Sequence, residues 1–144
     1  MVSGALFRLE PGAGPAAAVP EDTRAQLLTG ARGAGEGLTA AAHLAALATA
    51  VREGCAGPEH VVRVLTHVWE TRGTAADFLL QQGEDEFSEA GEAYLRSAEW
   101  ARRALAVAPW DTPARRGAAA DLLDHMAHLE EDAARDLLRW AQNQ

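Results

Sequence analysis

The sequence predicts an all-α fold, an antiparallel four-helix bundle preceded by a short extra N-terminal helix and an extended N-terminal arm. Three observations predict it. Apolar residues recur three and four positions apart over long stretches. No run alternates apolar and polar residues between turn signals. Proline and most of the glycine fall between the periodic stretches. Linkers of about three to six residues between long helices favour antiparallel neighbours. At 144 residues the chain makes one compact unit, able to bury roughly 70% of the surface its unfolded form exposes. Residues 1–20 are expected as the arm and 21–144 as a single helical-bundle domain.

The arm holds three of the six prolines and little periodicity, and Val2, Leu6, Phe7 and Leu9 give it apolar area with which to lie against the body or a neighbouring subunit. Pro20, Glu21 and Asp22 open a short helix, with acids at its positive end, and Gly30, Gly33, Gly35 and Gly37 break it. Thr39 is expected to cap the next helix, which runs to Glu53 with Leu44, Leu47 and Val51 on one face and Gly54 as its stop. Pro58 opens a third, carried to about Gln82 and stopped by Gly83. Its stripe is Val61, Leu65, Val68, Ala75, Ala76 and Leu79, with Val62, Trp69 and Leu80 as a second apolar flank. An arc that wide belongs to a central helix. Gly73 weakens its middle by roughly 1 kcal/mol relative to alanine.

Ser88 is expected to cap the fourth helix, with Phe87, Tyr94, Ala98, Ala101 and Leu105 facing inward, and Pro109 ends it near Ala108. Thr112 and Pro113, a cap followed by proline at the first position, open the fifth. That helix extends to about Ala141 with a heptad-like seam of Ala119, Leu122, Met126, Leu129, Ala133, Leu137 and Trp140. The stretch Tyr94 to Pro109 resembles the second half of a tetratricopeptide repeat. No copy recurs at that family's period, and no function is carried across from it.

Composition excludes several chemistries. All 13 basic residues are arginine, so there is no P-loop lysine, no Schiff base and no amine general base. The single cysteine, Cys55, precludes a disulfide or a CxxC pair within one chain, which suits a cytoplasmic location. No 18-residue apolar run predicts a membrane span, and the N-terminus lacks the pattern of a secretory signal. A net charge of −8 opposes a nucleic-acid partner, although Arg96, Arg102, Arg103, Arg115 and Arg116 cluster in the sequence. None of the three serines lies in a Gly-x-Ser-x-Gly turn, and Cys55 has no histidine at fixed spacing. Whether the chain is an enzyme stays open.

The five histidines are the natural metal-ligand candidates. His67 with Glu70 and His128 with Glu131 reverse the Glu-x-x-His order of carboxylate-bridged bundles, so no metal site and no cofactor are expected. Asp121, His125, His128 and Asp132 form a polar strip beside the seam, in which Asp132 can hold the His128 imidazole charged or simply pair with it at i, i+4. Arg72 is the odd residue, because it falls on the apolar arc of the third helix and must be paired there or reach solvent. Asp121, Asp132 or Asp136 are its expected partners, and breaking such a pair would cost about 3 to 5 kcal/mol. Alternatively Arg72 faces a cavity with His43, Tyr94 and His125 and clamps an anionic ligand. The simpler alternative is a satisfied polar layer that aligns the helices.

The acidic run Glu84, Asp85, Glu86, Glu89 and Glu92 complements a helix start. Trp100, with Ala104 and Val107, gives the fourth helix a second apolar side, expected as an interface. The function expected is therefore a non-enzymatic helical interaction or regulatory module that acts on itself or on another protein. The alternative is a small-molecule- or metal-binding bundle using the inward polar residues.

Overall fold

The computed structural model describes residues 35–143, with side chains from 39 onward. The arm, its apolar residues and the short helix expected after Pro20 lie outside the described residues. Four helices follow in order: α1 (Gly35–Arg52), α2 (Pro58–Leu80), α3 (Asp85–Ala106) and α4 (Pro113–Gln142). No strand occurs among the described residues, and the four helices pack together.

Helix α1 begins four residues before Thr39, which is therefore not its cap. Gly35 and Gly37 sit inside it, and roughly 1 kcal/mol of helix propensity per glycine is small beside what packing against a neighbour returns. Its end is as the sequence implies. Gly54 takes φ +75°, its N–H bonds to the carbonyl of Val51 at 3.0 Å, and the Cys55 N–H reaches back to Ala50 at 2.8 Å. These two bonds are the paired closure of a Schellman turn, whose left-handed position favours a residue without Cβ.

Helix α2 opens on Pro58 with Glu59 in its first turn and closes at Leu80. The Gln82 amide Nε2 donates to the Phe78 carbonyl at 2.9 Å and so satisfies one of the orphan acceptors of the helix end. Helix α3 starts three residues earlier than Ser88. Glu84 is at the N-cap position, and Asp85 and Glu86 lie in the first turn, so the acidic run sits at the positive end of the helix dipole. Ser88 lies inside the helix and donates its N–H to the Glu84 carbonyl at 2.9 Å. Thr112 caps α4 as expected, its hydroxyl accepting from the Arg115 N–H at 3.1 Å with Pro113 following.

Helix α2 packs along α3, α3 along α4, and α4 along α1. The core has two apolar regions. One gathers Phe78, Leu79, Phe87, Tyr94, Leu137 and Trp140; the other gathers Leu44, Val51, Val61, Leu65, Leu123 and Met126. Phe87 and Trp140 meet with ring centroids 4.6 Å apart, and the Trp140 indole N–H donates to the Glu84 carboxylate. Ala90, Ala101, Ala104, Ala119, Ala120, Ala133 and Ala134 are all fully buried. Side chains this small let helix axes approach towards the short end of the usual 8 to 10 Å.

Candidate functional site

Two features outside ordinary apolar packing stand out: a charged layer at the centre and an apolar flank on the outside. The central layer is built on Arg72 of α2 and Glu130 of α4, each only 1% exposed. Arg72 Nε donates to both carboxylate oxygens of Glu130, at 2.7 and 2.9 Å, and Nη2 donates to Oε1 as well. Nη1 donates to the Thr71 hydroxyl at 3.3 Å, and that hydroxyl donates to the His67 carbonyl at 2.7 Å. The guanidinium also lies 5.5 Å from the centre of the Tyr94 ring, within cation–π range. Burial pushes the Tyr94 phenol well above its ordinary ionisation range, the Glu130 charge adds to the shift, and Arg72 opposes it. The layer is thus a charge pair held by a planar fork, with a neutral phenol beside it.

The partner of Arg72 is accordingly none of the three aspartates expected. Asp121 and Asp124 both take Arg52, at 2.8 and 3.1 Å. Asp136 pairs with Arg139 at 3.3 Å, and Asp132 is exposed. Glu130 was legible in principle. Met126, Glu130, Ala133 and Leu137 follow three-four spacing, and all four are buried. The buried stripe of α4 runs through Leu123, Ala127, Glu130 and Ala134, one position over from the Leu122 and Leu129 line that the apolar pattern favours, and both of those leucines are half-buried.

Of the four residues expected to line one pocket, the structure brings together Arg72 and Tyr94. His43 and His125 are exposed and lie apart from the central layer. His43 projects from α1 away from its buried face of Ala40, Leu44, Ala48 and Val51. His125 stacks on Trp100 of α3 instead, with centroids 5.4 Å apart and planes 17° from parallel. Arg103 lies 4.8 Å from the Trp100 ring centre, so the indole is half-buried between cationic or ionisable neighbours. Ala104 is fully buried, which corrects the expectation that it belongs to a surface with Trp100; Val107 is half-buried. Trp100 packs against the Leu44–Met126 region of the core, and the second apolar side of α3 is largely taken up by α4.

The outer flank lies elsewhere. Val62, Trp69, Leu80 and Leu95 are the large apolar side chains most open to solvent among the described residues, at 41, 46, 37 and 49% exposure. Val62, Trp69, Gly73 and Leu80 fall on one edge of α2, seven, four and seven residues apart, which is helical repeat spacing. Leu80 reaches α3 at Gly91, where a methyl group would come within 2.9 Å of Leu80 Cγ. Leu95 is one turn beyond Gly91 on the same face, so both helices contribute to one surface. The sequence pattern marked Val62, Trp69 and Leu80 as a flank; Leu95 is invisible to it, because its place depends on how closely α2 and α3 approach.

Among the described residues, no three histidine, cysteine, aspartate or glutamate side chains converge as metal ligands, and no helix is long and apolar enough to cross a membrane. Cys55 is exposed in the α1–α2 connection, its thiol 3.8 Å from the Glu53 carbonyl. Compared with models of known protein families, with curated proteins and with solved structures, the chain matches none.

Proposed function

We propose that the protein is a non-enzymatic helical interaction module, an antiparallel four-helix bundle that presents the α2–α3 flank to another polypeptide. One observation carries this reading: four large apolar side chains, Val62, Trp69, Leu80 and Leu95, stand 37 to 49% exposed on one surface. Single exposed apolar residues are ordinary, whereas a run of them along two adjacent helices is the usual mark of an interface. Tryptophan and leucine on rigid helices suit the role, since little conformational freedom is lost on docking.

The antiparallel order is supported by contacts at helix ends. The end of α2 meets the start of α3 through Leu80 and Gly91. The start of α3 meets the end of α4 through Glu84 and Trp140, and the end of α1 meets the first half of α4 through Arg52 and Asp121. The interior favours the same reading, since Arg72, the group that would hold a ligand in the alternative, donates to Glu130 instead. A cytoplasmic location fits a chain whose lone thiol is exposed.

A photo-crosslinking amino acid placed at Val62 or Leu95 in living cells tests the reading, with Arg135 on the far side of α4 as control. Protein adducts of discrete mass are expected from Val62 and Leu95 and none from Arg135. The absence of any adduct at both flank positions would overturn it.

A further inference from the structure

The flank carries information about its own occupant, provided it is read as an interaction surface. We infer that it takes a second copy of this chain, with the two α2 helices packed antiparallel about a two-fold axis level with Thr71, whose own side chain lies on the opposite side of α2. In such a contact each residue faces the one equally far on the other side of the axis. Val62 and Leu80 both stand nine residues from Thr71, and Trp69 and Gly73 both stand two. The axis therefore sets each valine against a leucine and each Trp69 over the partner's bare backbone at Gly73.

Gly73 is the telling residue. A glycine in a helix interior costs roughly 1 kcal/mol relative to alanine, and close packing usually accounts for it, as Leu80 does for Gly91. Around Gly73 an added Cβ would meet nothing within 4 Å. The opening faces outward, on the same edge as the exposed Trp69. An indole from a second helix fills that opening.

Charge along the flank agrees. At the α2–α3 turn the exposed groups are Asp77, Asp85 and Glu92; at the opposite end they are Arg63 with Glu59, and Arg102, which pairs with Glu99. One end is acidic and the other balanced, and an antiparallel pair brings the acidic turn of one copy towards Arg63 of the other and away from the second acidic turn. The strip from Val62 to Leu80 is about 27 Å long at the helical rise. Two helices wide, it would bury about 500 Å² per copy, which is at the small end of specific interfaces and fits a micromolar, reversible dimer.

Sedimentation equilibrium and light scattering on the full chain, over a concentration range from about 1 to 300 μM, test the inference. The mass is expected to rise from 15.3 kDa towards twice that value. Gly73→Leu should weaken association at least tenfold while melting no lower than wild type, since leucine is the better helix former. Trp69→Glu should weaken it about a hundredfold or more, the loss expected from a central aromatic anchor present twice. Arg63→Glu and Asp77→Arg should each weaken the dimer, and the two together should restore it. A dimer indifferent to Gly73→Leu and Trp69→Glu would overturn the proposed contact. A strict monomer at every concentration would overturn self-association outright; flank crosslinks to other proteins would then leave the interaction reading standing, whereas loss of the crosslinks would remove both.

Discussion

Removing the carboxylate from the central pair is the most direct test of how this bundle is held together. In Glu130→Ala the Arg72 guanidinium keeps its place in a site 1% exposed but loses three of its charge-assisted hydrogen bonds. The Thr71 hydroxyl and the Tyr94 ring face remain as partners. Stranding one member of a buried ion pair costs about 3 to 5 kcal/mol, equivalent to a melting point about 10 to 20 °C lower for a domain of this size. The pair itself is a different matter, because its attraction is offset by the cost of dehydrating both charges. Arg72→Met with Glu130→Leu, which keeps the volume and removes both charges, is therefore expected to fall within about 1 kcal/mol of wild type or above it. Urea unfolding followed by far-UV circular dichroism on Arg72→Met, on Glu130→Leu and on the double variant completes the cycle, with Glu130→Ala beside it. A Glu130→Ala cost below about 1 kcal/mol, or a double variant no better than the sum of the singles, would refute the account of a dehydrated, mutually dependent pair.

The remaining expectations are smaller. Thr112→Ala removes the only side-chain cap seen at the α4 start and should cost about 1 kcal/mol by chemical denaturation. Gly91→Val, which puts a branched side chain where even a methyl meets Leu80 Cγ at 2.9 Å, should cost about 2 kcal/mol through overpacking, whereas Gly73→Ala should gain about 0.5 to 1 kcal/mol in the monomer. Burial raises the Asp136 carboxyl above its ordinary range and the Glu89 charge adds to this, against the pull of Arg139. The folded state then binds that proton more tightly than the unfolded chain, so this group's contribution falls as pH rises from the ordinary carboxylate value through the raised one. Asp136→Asn should accordingly melt higher than wild type at neutral pH, with the difference closing as the solution is acidified to about pH 4.

Much of the helix content was legible because punctuation here is strong. Pro58, Thr112–Pro113, Gly54 and Gly83 each mark a terminus through local geometry that owes little to the rest of the fold. Starts without strong punctuation were less legible: α1 extends past Thr39 through Gly37 and Gly35 despite glycine's cost in a helix, and α3 starts before Ser88 because acids at positions 84–86 already suit a helix start. The anomaly of Arg72 could be read from one helix, but its partner could not. Whether Glu130 or a neighbouring aspartate turns inward depends on a rotation of α4 by one residue, and alanines on both sides of the seam leave the apolar pattern nearly indifferent to that rotation. His43 and His125 illustrate the same loss, since a wheel cannot say where a buried face ends when small residues surround it.

Alanine methyls offer little to tell one sliding position of a helix from the next, so α4 has many near-equivalent settings against the rest of the bundle, α2 included. A guanidinium that meets a carboxylate in only one of them acts as a pin through that ladder. Its removal by apolar replacement would trade a single native arrangement for several of similar energy: such a protein would keep about its melting point or exceed it, yet give broadened, multiplied resonances for its core methyl groups.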